Sequence, residues 1–230
     1  MVQGLVTILL IDQRTLLLRK SCYGNVSAVT IITKVNRCST APGCNFDRRV
    51  LDLTEITAEY KERIARLHRV LGIPADYNTT CRLPLYPEPS ELVETEPDYY
   101  QRPQRLTPQA NQSWLAMQQA AANEGVILYL ISAYRSVDYQ FQLIQRQLQE
   151  GRELEELLTM IAAPGHREHH TGRASDISTE NCRALELEFA NTHAYAWLRA
   201  NAGEFSFELS FPEDNPYGIK YEPWHWCHRV

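Results

Sequence analysis

Two short stretches of the sequence carry the side chains with the clearest chemistry. One ends at Asp176, and the other is a Glu-Pro-Trp-His run close to the C-terminus. Together they offer His169, Asp176 and His225 as metal ligands, with Glu222 as a carboxylate that need not bind the metal. Three protein ligands and an open fourth position are typical of a catalytic zinc site, whereas a structural site is closed by four. The pattern therefore favours hydrolysis by a metal-activated water.

The spacing within the first stretch predicts how two of the ligands meet. His169 and Asp176 are seven positions apart, which is wrong for two ligands on one face of a helix. A loop that turns at Gly172 and enters a strand brings both side chains to one point. From the residues alone, His166 and His170 compete with His169 for the role of ligand.

The second stretch places the candidate base close to the third ligand. In a regular strand Glu222 and His225 point to opposite faces, because their offset is three residues. Pro223 distorts a strand or confines it to an edge, so we expect a bend or bulge here. Glu222 then accepts a proton from the attacking water and passes it to the leaving amine. Trp224 and Trp226 are predicted to be core aromatics.

A third group of polar residues follows a predicted buried strand. Arg135 lies at the turn, Ser136 can cap the next helix, and Gln140 lies one turn further on. An arginine at such a turn can hold a carboxylate through two hydrogen bonds. From the sequence alone, the alternative of a surface arginine paired with an acid of its own fold is favoured.

The composition is that of an ordinary globular protein. Of 230 residues, 44% are hydrophobic and 22% charged, with a net charge of −5 that argues against nucleic-acid binding. No apolar run approaches the ~20 residues of a membrane span, and the N-terminus lacks the basic start of a signal peptide. None of the six cysteines forms a Cys-x-x-Cys pair, and disulfides and free thiols are equally compatible with their spacing.

The chain is predicted to divide into three parts. These are an N-terminal region of unknown role over 1–83, a proline-rich linker or wrapping arm over 84–106, and a zinc-binding domain over 107–230. Helix signals are an apolar spacing of three and four residues with capping residues, and they predict helices over 51–71, 107–123, 136–151, 153–161 and within 184–202. β-Branched and aliphatic runs predict strands over 5–10, 28–35, 126–131, 174–177, 205–211 and 221–227.

The order of these elements indicates the fold class. In the third part, helices come first and most strands come late, which favours an α+β domain in which helices pack on a small, mainly antiparallel sheet. That sheet carries the single predicted zinc site.

Three motifs in this order resemble the VanY-like D-alanyl-D-alanine carboxypeptidases, zinc peptidases of the LAS type that trim peptidoglycan stem peptides. The family signature Ser-x-His-x-x-Gly-x-Ala-x-Asp corresponds to 167–176, with Arg167 in place of the serine. The signature that joins a glutamate to Trp-His corresponds to 222–225. The Tyr-Arg-Ser turn and its glutamine correspond to 134–136 and Gln140. The similarity covers about 106–227, and 227–228 are Cys-His where the family often has an arginine and an aromatic residue.

The resemblance implies a set of roles for individual residues. His169, Asp176 and His225 are the Zn²⁺ ligands, and Glu222 is the catalytic base. Arg135, Gln140 and Ser136 lie on the substrate side, with the arginine near the terminal carboxylate.

The implied activity is removal of the terminal D-alanine from a peptidoglycan stem peptide, in the periplasm or cell envelope. The alternatives are an L,D-carboxypeptidase, a D,D-dipeptidase or an endopeptidase on the same peptides. A hydrolase of free D-amino-acid peptides is a further possibility. A non-catalytic zinc-binding module is disfavoured, because a closed structural site has no use for Glu222.

Overall fold

The computed structural model describes residues 9–11, 14–16 and 56–229. The chain divides into two compact units, Met1–Arg49 and Val50–Val230. In the first unit, strands β1 (Leu9–Ile11) and β2 (Arg14–Leu16) pair in antiparallel fashion. The strand predicted over 5–10 overlaps β1. The strand predicted over 28–35 lies outside the described residues.

Four helices of the second unit begin where the sequence supplies a capping side chain. Thr57, Thr107, Ser136 and Thr192 each accept a hydrogen bond from a backbone amide three residues later. The α-helices are α1 (Ala58–Leu71), α2 (Tyr77–Thr80), α3 (Pro108–Asn123), α4 (Val137–Gln149), α5 (Leu154–Met160) and α6 (His193–Asn201). The helix predicted over 51–71 is α1, and 51–55 lie outside the described residues.

An antiparallel sheet of four strands lies at the centre of the second unit. Its order is β5 (Tyr129–Ser132), β6 (Ala174–Ser178), β8 (His225–His228) and β7 (Phe207–Leu209). A smaller pair joins β3 (Val93–Glu94) to β4 (Arg105–Leu106). The predicted α+β fold, with helices on a small antiparallel sheet, is confirmed.

The main core lies between this sheet and helices α3 and α6. Trp114 and Met117 of α3 are fully buried against Leu198 of α6 and against Ile177 and Phe207 of the sheet. A second cluster joins the end of α1 to α4 and α5. In the described part of the chain, no helix is long and apolar enough to cross a membrane. Cys81, Cys182 and Cys227 are free thiols.

The proline-rich segment 84–106 contains no helix and lies against the turns that carry the first motif. The Tyr86 amide donates to the carbonyl of Gly165 at 2.7 Å. Gly172 has a φ of 64°, and a Cβ there would lie 2.7 Å from Leu92 Cδ2. Glycine adopts this left-handed conformation without strain, and a larger residue would have to displace the Leu92 side chain. The division at 84–106 stays a prediction about domains.

The last strand is shorter than predicted. The prediction placed 221–227 in one strand with a bend, whereas β8 begins only at His225. The residues before it form a turn, in which the His225 amide donates to the carbonyl of Glu222 at 3.0 Å. Pro223 has no amide hydrogen to donate to a neighbouring strand, which accounts for the turn at this point.

Candidate metal centre

The sheet brings the three predicted ligands together. His169 lies in a 3₁₀ turn, Glu168–Thr171, which Gly172 ends in the left-handed conformation. Asp176 lies in β6, directly opposite His225 at the start of β8. One nitrogen of each histidine and one carboxylate oxygen lie within 4.8 Å of one another. The predicted turn at Gly172 into a strand is therefore the local structure that joins the two ends of the first motif.

The arrangement of atoms fits a metal ion. His169 Nε2 is 3.2 Å from Asp176 Oδ2, and His225 Nδ1 is 3.0 Å from Asp176 Oδ1. All three side chains are buried. His169 Nε2 has no hydrogen-bond partner, although a buried imidazole nitrogen normally has one. Two imidazole nitrogens and a carboxylate oxygen are a normal donor set for zinc.

The outer nitrogen of each imidazole has its own partner. His169 Nδ1 lies 2.6 Å from the carbonyl oxygen of Ala133, to which it donates. His225 Nε2 lies 2.9 Å from Glu168 Oε2. These bonds leave His169 Nε2 and His225 Nδ1 facing the cluster. Metal-binding histidines almost always donate their second N–H to a carbonyl or carboxylate in this way, which fixes the tautomer and the ring.

Glu168 is itself held by residues far away in the sequence. Arg229 Nη1 lies 2.7 Å from Glu168 Oε1, and the Ser210 hydroxyl donates to Oε2. Burial would raise the pKa of Glu168, but its bonds to His225, Arg229 and Ser210 outweigh burial and lower it well below the usual value. Glu168 is therefore an ionised acceptor behind His225.

The electrostatics of the cluster follow from its burial and internal pairing. Burial lowers the pKa of His169 to about 4, despite the nearby Asp176 carboxylate. Burial also works against charge on His225, but Asp176 and Glu168 raise its pKa to about 9. For Asp176, the two histidines outweigh burial and hold the pKa well below the usual value.

Glu222 stands beside the cluster. The turn before β8 places its Oε2 3.9 Å from His225 Nδ1, so Glu222 and His225 lie on the same side. Its side chain is 29% exposed, in contrast to the buried ligands. Burial raises the pKa of Glu222, and the nearby His225 offsets this only in part.

The two competing histidines have other surroundings. His166 contacts the Leu83 carbonyl and the Asn78 side chain, and its ring stacks on His68. His170 Nδ1 lies 2.6 Å from the Arg135 carbonyl. Neither belongs to the metal-compatible group found among the described residues.

The residues predicted to contact the substrate differ in how many of their hydrogen-bonding groups already have a partner. Arg135 is half-buried, and its Nε donates to Ser132 Oγ at 3.0 Å. Gln140 is fully buried and donates to the Ala162 carbonyl, while its Oε1 has no partner. Ser136 Oγ accepts the capping bond from Tyr139. Arg135 is thus the residue with the most donors left for a ligand.

Comparison with known families agrees with this geometry. The family model described as "VanY: D-alanyl-D-alanine carboxypeptidase" matches residues 103–229, more than half of the chain. The chain belongs to the VanY family. The match spans both motifs, the Arg135 turn and all four strands of the central sheet.

Several relatives of this VanY-family chain are known. It is 29% identical over 188 residues to the "Putative carboxypeptidase YodJ" of Bacillus subtilis, covering 78% of this chain and 64% of that protein. It is 29% identical over 117 residues to a "D-alanyl-D-alanine carboxypeptidase" of Enterococcus faecalis, covering 46% and 42% respectively. The chain therefore spans less than two thirds of the length of these relatives.

A solved structure is also similar. The structure of the LdcB LD-carboxypeptidase, described in terms of peptidoglycan recognition, superposes with a TM-score of 0.55 at 30% identity. The similarity covers 61% of this chain and 69% of LdcB.

Sequence reasoning about this VanY-family chain missed the residues that hydrogen-bond to the candidate ligands. Glu168 received no role, although it directly precedes His169 within the motif. Its partners Arg229 and Ser210 lie 61 and 42 positions away, so no local spacing connects them. The only available signal was a carboxylate next to a candidate ligand.

Proposed function

We propose that the protein is a zinc-dependent D,D-carboxypeptidase that removes the C-terminal D-alanine from peptidoglycan stem peptides. The observation that carries the proposal is the pairing of a buried, metal-compatible cluster with a separate carboxylate, Glu222, in a chain of the VanY family. A purely structural zinc site has no need of that carboxylate.

In this proposal His169, Asp176 and His225 hold the zinc ion. When bound, zinc polarises the scissile carbonyl and lowers the pKa of water toward ~7. The protein supplies the ligand geometry, since Ala133 and Glu168 fix both imidazoles. Burial excludes bulk water from the ligands, which strengthens every charge interaction among them.

Glu222 is the proposed general base. Its carboxylate accepts a proton from the attacking water and then donates it to the leaving amine nitrogen. Two features support the role: it lies beside the proposed ligand His225, and it is partly exposed, whereas the proposed ligands are buried. Its raised pKa makes the carboxylate a stronger base than an ordinary glutamate.

Arg135 is the proposed anchor for the C-terminal carboxylate of the substrate. Its Nη groups are free of carboxylate partners among residues 56–229, and its backbone amide donates to the His169 carbonyl at 3.3 Å. An anchor at a fixed place beside the ligands restricts cleavage to the last peptide bond. Gln140 Oε1 and the Ser136 hydroxyl are proposed as further contacts on the same side of the site.

An L,D-carboxypeptidase is the second candidate, because LdcB is similar over most of its length. D,D-dipeptidase and endopeptidase activities on the same peptides, and hydrolysis of free D-amino-acid peptides, remain further alternatives. All of these share the metal, the base and peptides with D-residues. The product released from each peptide distinguishes them.

The test is D-alanine release by the zinc-loaded full chain from a stem pentapeptide ending in D-Ala-D-Ala and from the corresponding tetrapeptide. Glu222→Gln keeps the shape of the side chain and removes its basicity. The matched control is Glu213→Gln, at an exposed glutamate nearby in the sequence. Metal content is measured for every variant.

We expect release from the pentapeptide by the wild type and by Glu213→Gln. Glu222→Gln should bind zinc fully and lose turnover by at least about a hundredfold. Release from the tetrapeptide alone would replace the D,D assignment by the L,D one. Undiminished turnover by Glu222→Gln would remove Glu222 from the role of base, and no release by zinc-bound wild type would contradict carboxypeptidase activity.

A further inference from the structure

The residue at position 167 distinguishes this site from the family signature. Arg167 stands where the signature has serine, two residues before His169. Its carbonyl accepts a hydrogen bond from the His170 amide at 2.9 Å. Its side chain is half-buried, and the buried Nε has no hydrogen-bond partner.

Arg135 and Arg167 flank the same turn. The Arg135 amide donates to the His169 carbonyl, and the Arg135 carbonyl contacts His170 Nδ1 at 2.6 Å. The charge of Arg135 contributes, after burial, to lowering the pKa of Arg167 to about 10. Asp176 and Glu222 act in the opposite direction. Both arginines thus adjoin the 3₁₀ turn that carries His169: Arg167 directly precedes the turn, and Arg135 contacts it through its backbone.

Neither guanidinium forms an ion pair with a carboxylate of residues 56–229. The nearby acids have other partners. Glu88 accepts from Arg63 at 2.6 Å and from the Tyr134 hydroxyl at 2.8 Å. Glu168 accepts from Arg229 and His225. A partly buried cation without a counter-charge is costly, so the missing anions are expected to come with the ligand.

The charges of the site indicate how many carboxylates a bound peptide must supply to neutralise the two arginines. This step rests on the proposed function, because it counts a divalent zinc ion. Asp176 and Glu222 balance zinc, and Arg229 balances Glu168, which leaves two positive charges on Arg135 and Arg167. One C-terminal carboxylate neutralises only one of them.

We propose that Arg135 and Arg167 together favour peptides that carry two carboxylates at the scissile end over those, such as peptides ending in D-Ala-D-Ala, that carry only one. One is the C-terminal carboxylate, and the other is the acidic side chain of a residue that flanks the cleaved bond. Guanidinium groups suit this task, because their planar donors bind carboxylates through two parallel hydrogen bonds.

The second carboxylate has two possible sources, the leaving residue or the residue before the cleaved bond. Three N-acylated tripeptides distinguish them: one ends in D-Ala-D-Ala, one in D-Ala-D-Glu and one in D-Glu-D-Ala. Each acidic peptide has a neutral counterpart with D-Gln in place of D-Glu, which is nearly the same shape. The readout is the ratio of kcat/KM between acid and amide.

The variants are Arg167→Ser, which restores the residue of the family signature, and Arg167→Met, which keeps most of the side-chain volume. Arg183→Ser, at an exposed arginine, is the control. For the wild type and the control, we expect kcat/KM for one acidic peptide to be about tenfold higher than for its amide counterpart. This is the effect expected from one charge-assisted hydrogen-bonded pair. The ratio should fall to near unity in both Arg167 variants.

The position of D-Glu in the preferred peptide identifies which residue supplies the second carboxylate. A wild-type ratio at or below unity for both acidic peptides would overturn the proposal, as would a ratio that persists in Arg167→Ser and Arg167→Met. If zinc-bound wild type cleaves none of the peptides, the proposed function fails separately. The peptides then serve as uncleaved ligands in calorimetric titrations, where the same acid-to-amide preference in affinity, and its loss in the variants, tests the inference.

Discussion

The two sides of the candidate site, that of the proposed ligands and that of Arg135 and Arg167, differ in whether their charged groups are paired. On the ligand side, Asp176 contacts both histidines, and Glu168 connects His225 to Arg229. On the other side, Arg135 and Arg167 have no carboxylate partner among the described residues, and Arg167 Nε has no hydrogen bond at all.

This difference indicates which parts of the site are complete before a peptide binds. On the ligand side, both carboxylates are already paired with histidines or with Arg229, as preorganised binding of a metal requires. The arginine side is left for the substrate to complete, because an unpaired cation gains most from an incoming anion. Changes on the first side should therefore alter metal affinity, and changes on the second should alter peptide recognition alone.

The largest effect is expected from Asp176→Ala. This change removes a proposed ligand, the carboxylate that contacts both histidines, so zinc should be lost and kcat/KM should fall by about a thousandfold or more, as several kcal/mol of charge stabilisation disappear. Metal analysis and peptide hydrolysis are the measurements. Asp176→Asn, which keeps the shape and one potential donor oxygen, should lie between wild type and alanine. Full zinc content and normal turnover in Asp176→Ala would show that the cluster is not the metal centre.

Glu168, which hydrogen-bonds to the proposed ligand His225, can be changed without altering a proposed ligand itself. Glu168→Gln weakens the hydrogen bond to His225 Nε2 and should lower zinc affinity about 10- to 100-fold. The measurement is competition with a chelator. Glu208→Gln is a matched control, because Glu208 pairs with the same Arg229 at 3.2 Å but is 67% exposed and does not contact a ligand. Equal zinc affinity in the two variants would mean that Glu168 does not position His225.

Local sequence patterns predicted those features of the site that depend on residues close together in the sequence. The proposed ligands and the proposed base lie in two short runs, and caps such as Thr107 and Ser136 marked helix starts correctly. Glu168, Arg229 and Ser210 escaped prediction, because their contacts join three separate parts of the chain. Strand ends were also misjudged, since hydrophobicity continues through the turn at Pro223 whereas backbone pairing does not.

Segment 84–106 shows the same limit of prediction from local sequence. Five prolines from Pro84 to Pro103 exclude a regular helix, but composition cannot tell a free linker from a packed segment. Packing is visible only at specific contacts, such as Glu88 with Arg63 and Val137 and Leu92 against Gly172. The roles of 1–83 and 84–106 as separate parts thus stay predictions.

The smallest and most selective effect is expected from Arg135→Lys. The charge remains, but the two-pronged donor geometry is lost, so kcat/KM for the preferred peptide should fall about tenfold through loss of one charge-assisted hydrogen bond. Zinc affinity should stay unchanged, because Arg135 contacts the ligand turn through its backbone, which the substitution preserves. Peptide hydrolysis and chelator competition measure the two quantities on the same preparation.

Arg183→Lys, at an exposed arginine, supplies the reference for a change of the same chemistry elsewhere. A parallel loss of zinc affinity in Arg135→Lys would show that the two sides are coupled through the turn from Glu168 to Thr171. Loss confined to peptide turnover would mean that metal binding and carboxylate recognition are built by separate contacts, although the residues responsible meet at a single turn.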